Sequence, residues 1–257
     1  MSGAEALSGT GAEEVHGTGY QALPGTDSLA LPGTDSLADW CRVRQEVDWA
    51  GLDAPAVTGP VTPAADGFVA WCAGPATDRD PVRARRLLAG YAAVRADAER
   101  GVPLTFALLS GWQRRVLGTR EAPFRTGDAY AKRGRERYAL TARTRADLEA
   151  CLRESGARDV PLVARAARTY LDVAFFHPFE DGNGRAALLT LTYVLARERV
   201  FLSEVGPLQT TRYADDPAGA ADLAVLVSVL VRRSAAESGR HGRRHPRTPV
   251  RTASGRP

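Results

Sequence analysis

Two apolar runs near the middle of the chain, LVARAARTYLDVAFF (162–176) and RAALLTLTYVLARERV (185–200), are separated by only the eight residues HPFEDGNG. The second run is apolar almost all round, as a central helix buried on every side must be. A chain with such a helix has to supply other elements to cover it. The interruption is as telling as the runs. A histidine, two acids, a Gly-Asn-Gly turn and an arginine stand in the greasiest part of the sequence, and polar groups placed there need a reason.

The covering elements read mainly as helices. LADWCRVRQEVDWAGL (37–52) is weakly helical, and 51–67 is a linker punctuated by Pro and Gly. Asp80 precedes Pro81 at a first helical position, and Leu87, Tyr91 and Val94 follow at helical spacing. A further helix is predicted from about Pro103 to Leu117, with Phe106, Leu109, Trp112 or Gln113, and Val116 on one face. Residues 121–140 lack that period and carry Gly127 and Gly134, which suits a β-hairpin or flap. Thr144 is expected to cap the helix RADLEACLRES, and Pro161 to open the run ending at Phe176. His177 should end that run, because a residue before proline is pushed out of the helical region. The last helix is expected from about Ala218 to Arg233. The fold class is all-α, with one small hairpin.

The ends read differently. Residues 1–38 are rich in Gly, Thr, Ser and Ala and contain LPGTDSLA twice in tandem, at 23–30 and 31–38, too few and too short to stack as a repeat fold. Residues 39–79 form an N-terminal extension and linker, 80–236 the catalytic-type domain, and 237–257 a basic disordered tail. The formal net charge is +4, and the six arginines of 239–257 account for more than all of it, leaving −2 for the rest. The body is therefore not basic, and nucleic acid is not an expected partner. Cys41, Cys72 and Cys151 are odd in number and widely spaced, so neither a disulfide framework nor a zinc site follows. No basic start leads into an apolar run, and no apolar stretch approaches the ~18 residues that span a membrane, so a cytoplasmic location without a membrane partner is expected.

Gly182 and Gly184 feed directly into a strong helix. Such a turn leaves backbone N–H groups unpaired at the positive end of the helix dipole, a place suited to phosphate. Arg185 on the first turn adds a fixed cation, Asn183 an amide donor, and Asp181 a carboxylate able to hold Mg²⁺ against the same phosphates. His177, on the other side of the turn, ordinarily titrates near pH 6.5 and can accept the proton of an attacking hydroxyl. Taken together these groups suit phosphoryl or nucleotidyl transfer. Piece by piece the alternatives are plainer. DGNG alone is usually a turn with a helix start, His-Pro a helix stop, and His177 with Asp181 a pair of metal ligands lacking a third.

The nine residues HPFEDGNGR resemble the signature of the Fic family, H-x-F-x-[DE]-G-N-G-R-x-x-R, at seven specified positions. At about 1/20 per position such a match arises by chance on the order of once per billion starts. LLSGWQRRVLG followed by PFRTGDAYAKRG resembles the family's helix and flap, with Ala122 where a glycine usually precedes the aromatic-Arg pair. The likeness covers about residues 80–235. It implies a Fic-type helical bundle and an Mg²⁺-dependent transfer of AMP from ATP to a hydroxyl of a target protein. His177 would be the general base, Phe179 the anchor of the loop, and Asp181 the metal ligand. Gly182, Asn183, Gly184 and Arg185 would bind the phosphates. The target's Ser, Thr or Tyr would dock on the flap around Phe124 to Gly134, as an added strand, and an antitoxin or other regulator is a further partner of such domains.

The family's second arginine is Leu188 here, which leaves the distal phosphates without their usual cation. Transfer of phosphate or UMP, or a module that binds nucleotide without turnover, therefore stand beside AMP transfer. The inhibitory pattern [ST]-x-x-x-E-[GN] is not assigned: Thr10 and Glu14 have the spacing, but Val15 follows.

Overall fold

The computed structural model describes residues 35–52, 57 and 59–244. The first repeat, the Thr10–Glu14 spacing and the tail beyond 244 lie outside the described residues. In chain order the elements are α1 (Ser36–Glu46), α2 (Gly67–Ala73), α3 (Pro75–Arg79), α4 (Pro81–Glu99), α5 (Phe106–Leu117), β1 (Ala129–Ala131), β2 (Glu136–Tyr138), α6 (Thr144–Arg153), α7 (Leu162–Phe176), α8 (Asn183–Arg197) and α9 (Pro217–Arg244). Short 3₁₀ turns stand at Glu154–Gly156 and Gly206–Gln209. The result is a helical bundle with one two-stranded hairpin, as the sequence predicts.

The two apolar runs form the centre. Of the 15 residues of α7, 13 are buried, so it must be covered on all sides, and α8, α9, α6 and α1 pack against it. On the far side of α8 lie α4 and α5. The approach of α4 depends on Gly90, where a Cβ would stand 2.9 Å from Val116 Cγ2 and 3.2 Å from Leu189 Cδ1. The start of α4 follows its sequence signals: Asp80 accepts hydrogen bonds from the Val82 and Arg83 N–H groups, and Pro81 occupies the first turn.

Several boundaries differ from expectation. Thr144 is the first residue of α6 and not its cap; no side chain caps this helix, and the Thr144 hydroxyl instead accepts from Thr141 N–H at 2.9 Å. The last helix continues to Arg244, well beyond Arg233 and into the stretch expected to be a disordered tail. α2 and α3, seven and five residues long, are too short for a period to mark them in sequence.

The hairpin pairs Ala129 with Tyr138, Tyr130 with Arg137, and Ala131 with Glu136. Strands this short do not stand alone, and the outer edge of β2 is also engaged. Asp35, just before α1, forms a parallel bridge with Arg137, and its carboxylate accepts from both Ala139 N–H (3.0 Å) and Leu37 N–H (3.1 Å). Cys41, Cys72 and Cys151 are free thiols. Among the described residues, no helix is long and apolar enough to cross a membrane.

Candidate active site

Between α7 and α8, residues 177–182 turn the chain. α7 ends at His177, as expected before Pro178, but in the left-handed conformation (φ 48°, ψ 54°) and not the extended one. There His177 Nδ1 lies 2.7 Å from the carbonyl oxygen of Ala174. A carbonyl only accepts, so Nδ1 carries the proton, and the neutral ring keeps its lone pair on Nε2. Burial pushes the imidazole below its ordinary value of 6.5, and the Arg125 charge acts in the same direction; the Ala174 contact and Glu136 oppose them. His177 is therefore a neutral imidazole, with the accepting nitrogen chosen by its backbone partner.

The rest of the loop is held from inside. Phe179 is buried and stacks on Phe106, with centroids 5.5 Å apart. The buried Asn183 side chain accepts from Phe179 N–H (2.9 Å) and donates to the Phe179 carbonyl (2.7 Å). The side-chain amide that the sequence offers to a phosphate is thus engaged with the loop instead. Gln113, fully buried on α5, donates to the Asp181 carbonyl at 2.7 Å. Gly182 sits at φ +80°, where a Cβ would stand 2.6 Å from Gln113 Nε2. Only glycine fits on both counts.

No side chain caps α8, whose first closing bond is Ala186 N–H to the Gly182 carbonyl. The N–H groups of Asn183, Gly184 and Arg185 consequently have no partner within the helix. Nothing lies within 4 Å of the position a Gly184 Cβ would take, so the backbone is open there. Arg185 Nη2 pairs with Asp181 Oδ2 at 3.0 Å, the Asp181 side chain being 66% exposed and that of Arg185 21%. Leu188, in the place of a second arginine, is buried in the core.

The flap is fastened to this loop. Arg125 N–H donates to the Pro178 carbonyl at 2.9 Å. Its buried guanidinium donates to the carbonyls of Ala139 (3.0 Å), Phe176 (3.4 Å) and Gly127. The Tyr138 ring lies flat against that of His177, centroids 4.4 Å apart and planes 11° from parallel.

All the residues singled out in the loop, from His177 to Arg185, thus lie on one connected turn, with Asp181 and Arg185 paired at its mouth. Gln113 and Tyr138 had no assigned role in the sequence, and Arg125 stood there only as the arginine of the flap's aromatic-Arg pair. Gln113 also carried a signal, as a polar residue interrupting the apolar face of α5.

Mg²⁺ binds through one or two carboxylates together with waters and substrate phosphates. Among the described residues no group of three or more His, Cys, Asp or Glu gathers as an all-protein metal site. The exposed Asp181 carboxylate beside open N–H groups fits the first kind of site.

The Fic/DOC family model matches residues 103–195. That segment includes α5, the flap and the 177–185 loop. A Fic-domain-containing signalling protein from Bacteroides thetaiotaomicron is similar at 20% identity, with a TM-score of 0.45, over 60% of this chain and 69% of that one. Fic-1 from C. elegans is similar at 17% identity, with a TM-score of 0.44, over 80% of this chain and 70% of that one. No curated protein sequence matches the chain. The family match falls on the helix, flap and loop just described, so it is residues 103–195 of this chain that match the Fic/DOC family.

Proposed function

We propose that the protein is an Mg²⁺-dependent adenylyltransferase that moves AMP from ATP to a hydroxyl side chain of a target protein. Members of this family are generally transferases. The observation that carries the finer reading is the placing of a neutral His177, Nε2 free, across a short turn from the uncapped N-terminus of α8.

In this reading His177 Nε2 takes the proton of the acceptor hydroxyl as that oxygen bonds to the α-phosphorus and pyrophosphate leaves with the cleaved bond's electrons. The N–H groups of Asn183, Gly184 and Arg185 bind phosphate oxygens. Asp181 would hold Mg²⁺, which would supply charge neutralisation at the phosphates, and Arg185 would turn from Asp181 to the phosphates. The acceptor segment adds to the flap. Since Asp35 already bridges β2, it meets the edge of β1, where Tyr130 is 60% exposed.

The test is incubation of purified protein with α-labelled ATP, Mg²⁺ and a cell lysate. Labelled proteins are expected, and none with His177→Ala; labelling that survives the substitution defeats the mechanism.

The burial of Leu188 favours a second reading. With no arginine at that position to fix the distal phosphates, the group transferred can instead be phosphate or UMP. Transfer of the γ label of ATP, or of a UTP label, in place of the α label of ATP selects it. Nucleotide binding by calorimetry with no transfer of any label identifies a non-catalytic module.

A further inference from the structure

We infer that Tyr138 is the positioning residue for His177, holding the imidazole from the flap side, with Glu136 as the pin that holds Tyr138. The inference rests on the reading of His177 as the base, but its geometry is separate from the phosphate site.

An imidazole fastened only at Nδ1 can still swing about the line of that bond. Tyr138 removes this freedom by covering one face of the ring at 4.4 Å, nearly parallel. Stacked rings attract one another beyond the burial of their faces, which biases the imidazole toward one orientation. Tyr138 is itself 2% exposed, and its hydroxyl donates to Glu136 Oε2 at 2.6 Å. The other oxygen of Glu136 accepts from Lys132 Nζ at 2.5 Å. Lys132, the only lysine of the chain, also donates to the Arg212 carbonyl at 2.6 Å and lies 3.7 Å from the Tyr213 ring centre. A continuous set of contacts thus runs from the hairpin tip and the 212–213 segment to the base. Two charged groups act on the imidazole, Glu136 from β2 and Arg125 from the segment before β1.

Wild-type spectra give the first test. The His177 ring protons should resonate upfield of those of the other three histidines, from the Tyr138 ring current; assignment is by loss in His177→Ala. Tyr138→Leu should abolish the shift and raise the His177 titration toward its ordinary value, since a covering ring is removed. It should lower kcat by on the order of tenfold or more with KM for ATP unchanged, a misplacement of about 1 Å costing up to about 100-fold. Tyr138→Phe keeps the stacked face but loses the bond to Glu136, so kcat should lie a few-fold below the wild type and well above Tyr138→Leu; a Phe variant equal to the wild type overturns the role of Glu136 as the pin. An ordinary His177 shift in the wild type overturns the inference even if Tyr138→Leu does not fold. A folded Tyr138→Leu with unchanged titration and kcat overturns it too. Transfer that survives His177→Ala sinks the reading of the base instead, and leaves the ring-current result standing.

Discussion

Polar groups are buried both at Asp172 on α7 and in the loop that follows this helix, and they are treated oppositely. Asp172, with no exposed surface, accepts from Trp40 Nε1 (3.1 Å) and from Arg44 through Nε (2.7 Å) and Nη2 (3.3 Å). Arg44 continues to Glu154 at 2.9 Å, which Arg168 also approaches. Every charge in that cluster is answered from within, and the result docks α1 onto α7. One turn further on, the bonds of the 177–185 loop hold only its shape, through Asn183 to Phe179 and Gln113 to Asp181. His177 Nε2 and three N–H groups of α8 are left for something else, and the exposed Asp181 carboxylate is met only locally, by Gly182 N–H at 2.7 Å and Arg185 Nη2 at 3.0 Å. A buried charge is thus informative about chemistry only when its partners are incomplete.

His177→Ala breaks the open side of this comparison most severely. Loss of a general base costs about 100- to 10,000-fold in rate. Label transfer should fall by that much while thermal melting still shows a cooperative fold, because the loop keeps its Asn183 and Gln113 bonds.

Arg44→Ala attacks the closed side, and the expected damage is to stability. It leaves Asp172 buried without its cation, at a cost of about 3–5 kcal/mol, read as a drop in the denaturant midpoint. The pair Arg44→Met with Asp172→Leu should cost less than Arg44→Ala alone, because apolar groups of similar volume substitute for a buried ion pair. Nothing equivalent can replace the loop. A double variant worse than the single would mean that Asp172 does more than dock α1.

Gly182→Ala comes next. The left-handed conformation costs a non-glycine residue about 1–2 kcal/mol, and the new Cβ displaces Gln113 from Asp181. Weakened nucleotide binding by calorimetry, with a smaller loss of stability than Arg44→Ala, is the expected pattern.

What was legible in the sequence was local. Asp80 and Pro81, the stripe from Phe106 to Val116 and the runs forming α7 and α8 act through neighbours a turn away, and each produced its helix. The contiguous residues of the loop were legible for the same reason. What escaped depends on meetings across long stretches of chain: Gln113 with Asp181, Tyr138 with His177, Asp35 with Ala139. The left-handed turn of His177 escaped as well, because the preference before proline points to extended backbone and the Ala174 carbonyl overrides it.

The smallest effect separates the two regions by pH. His177 is held below its ordinary value of 6.5 chiefly by burial, so the unfolded chain takes up its proton at higher pH than the folded one. Above pH 6.5 both states are neutral at this position and the contribution to stability is complete. As pH falls below 6.5 the unfolded state protonates first, and stability is lost until the folded imidazole titrates as well. Denaturant midpoints measured at several values from pH 7.5 down to 5 should therefore fall in the wild type relative to His177→Gln, which has no proton to gain. Arg44→Met with Asp172→Leu should show the same fall relative to its own His177→Gln derivative. That comparison cancels the titration of Asp172, raised by burial, and neither group is among the causes of the His177 shift. A wild-type curve parallel to that of His177→Gln would mean that the imidazole is not desolvated, and with it would go the argument that His177 rests as a neutral base against the flap.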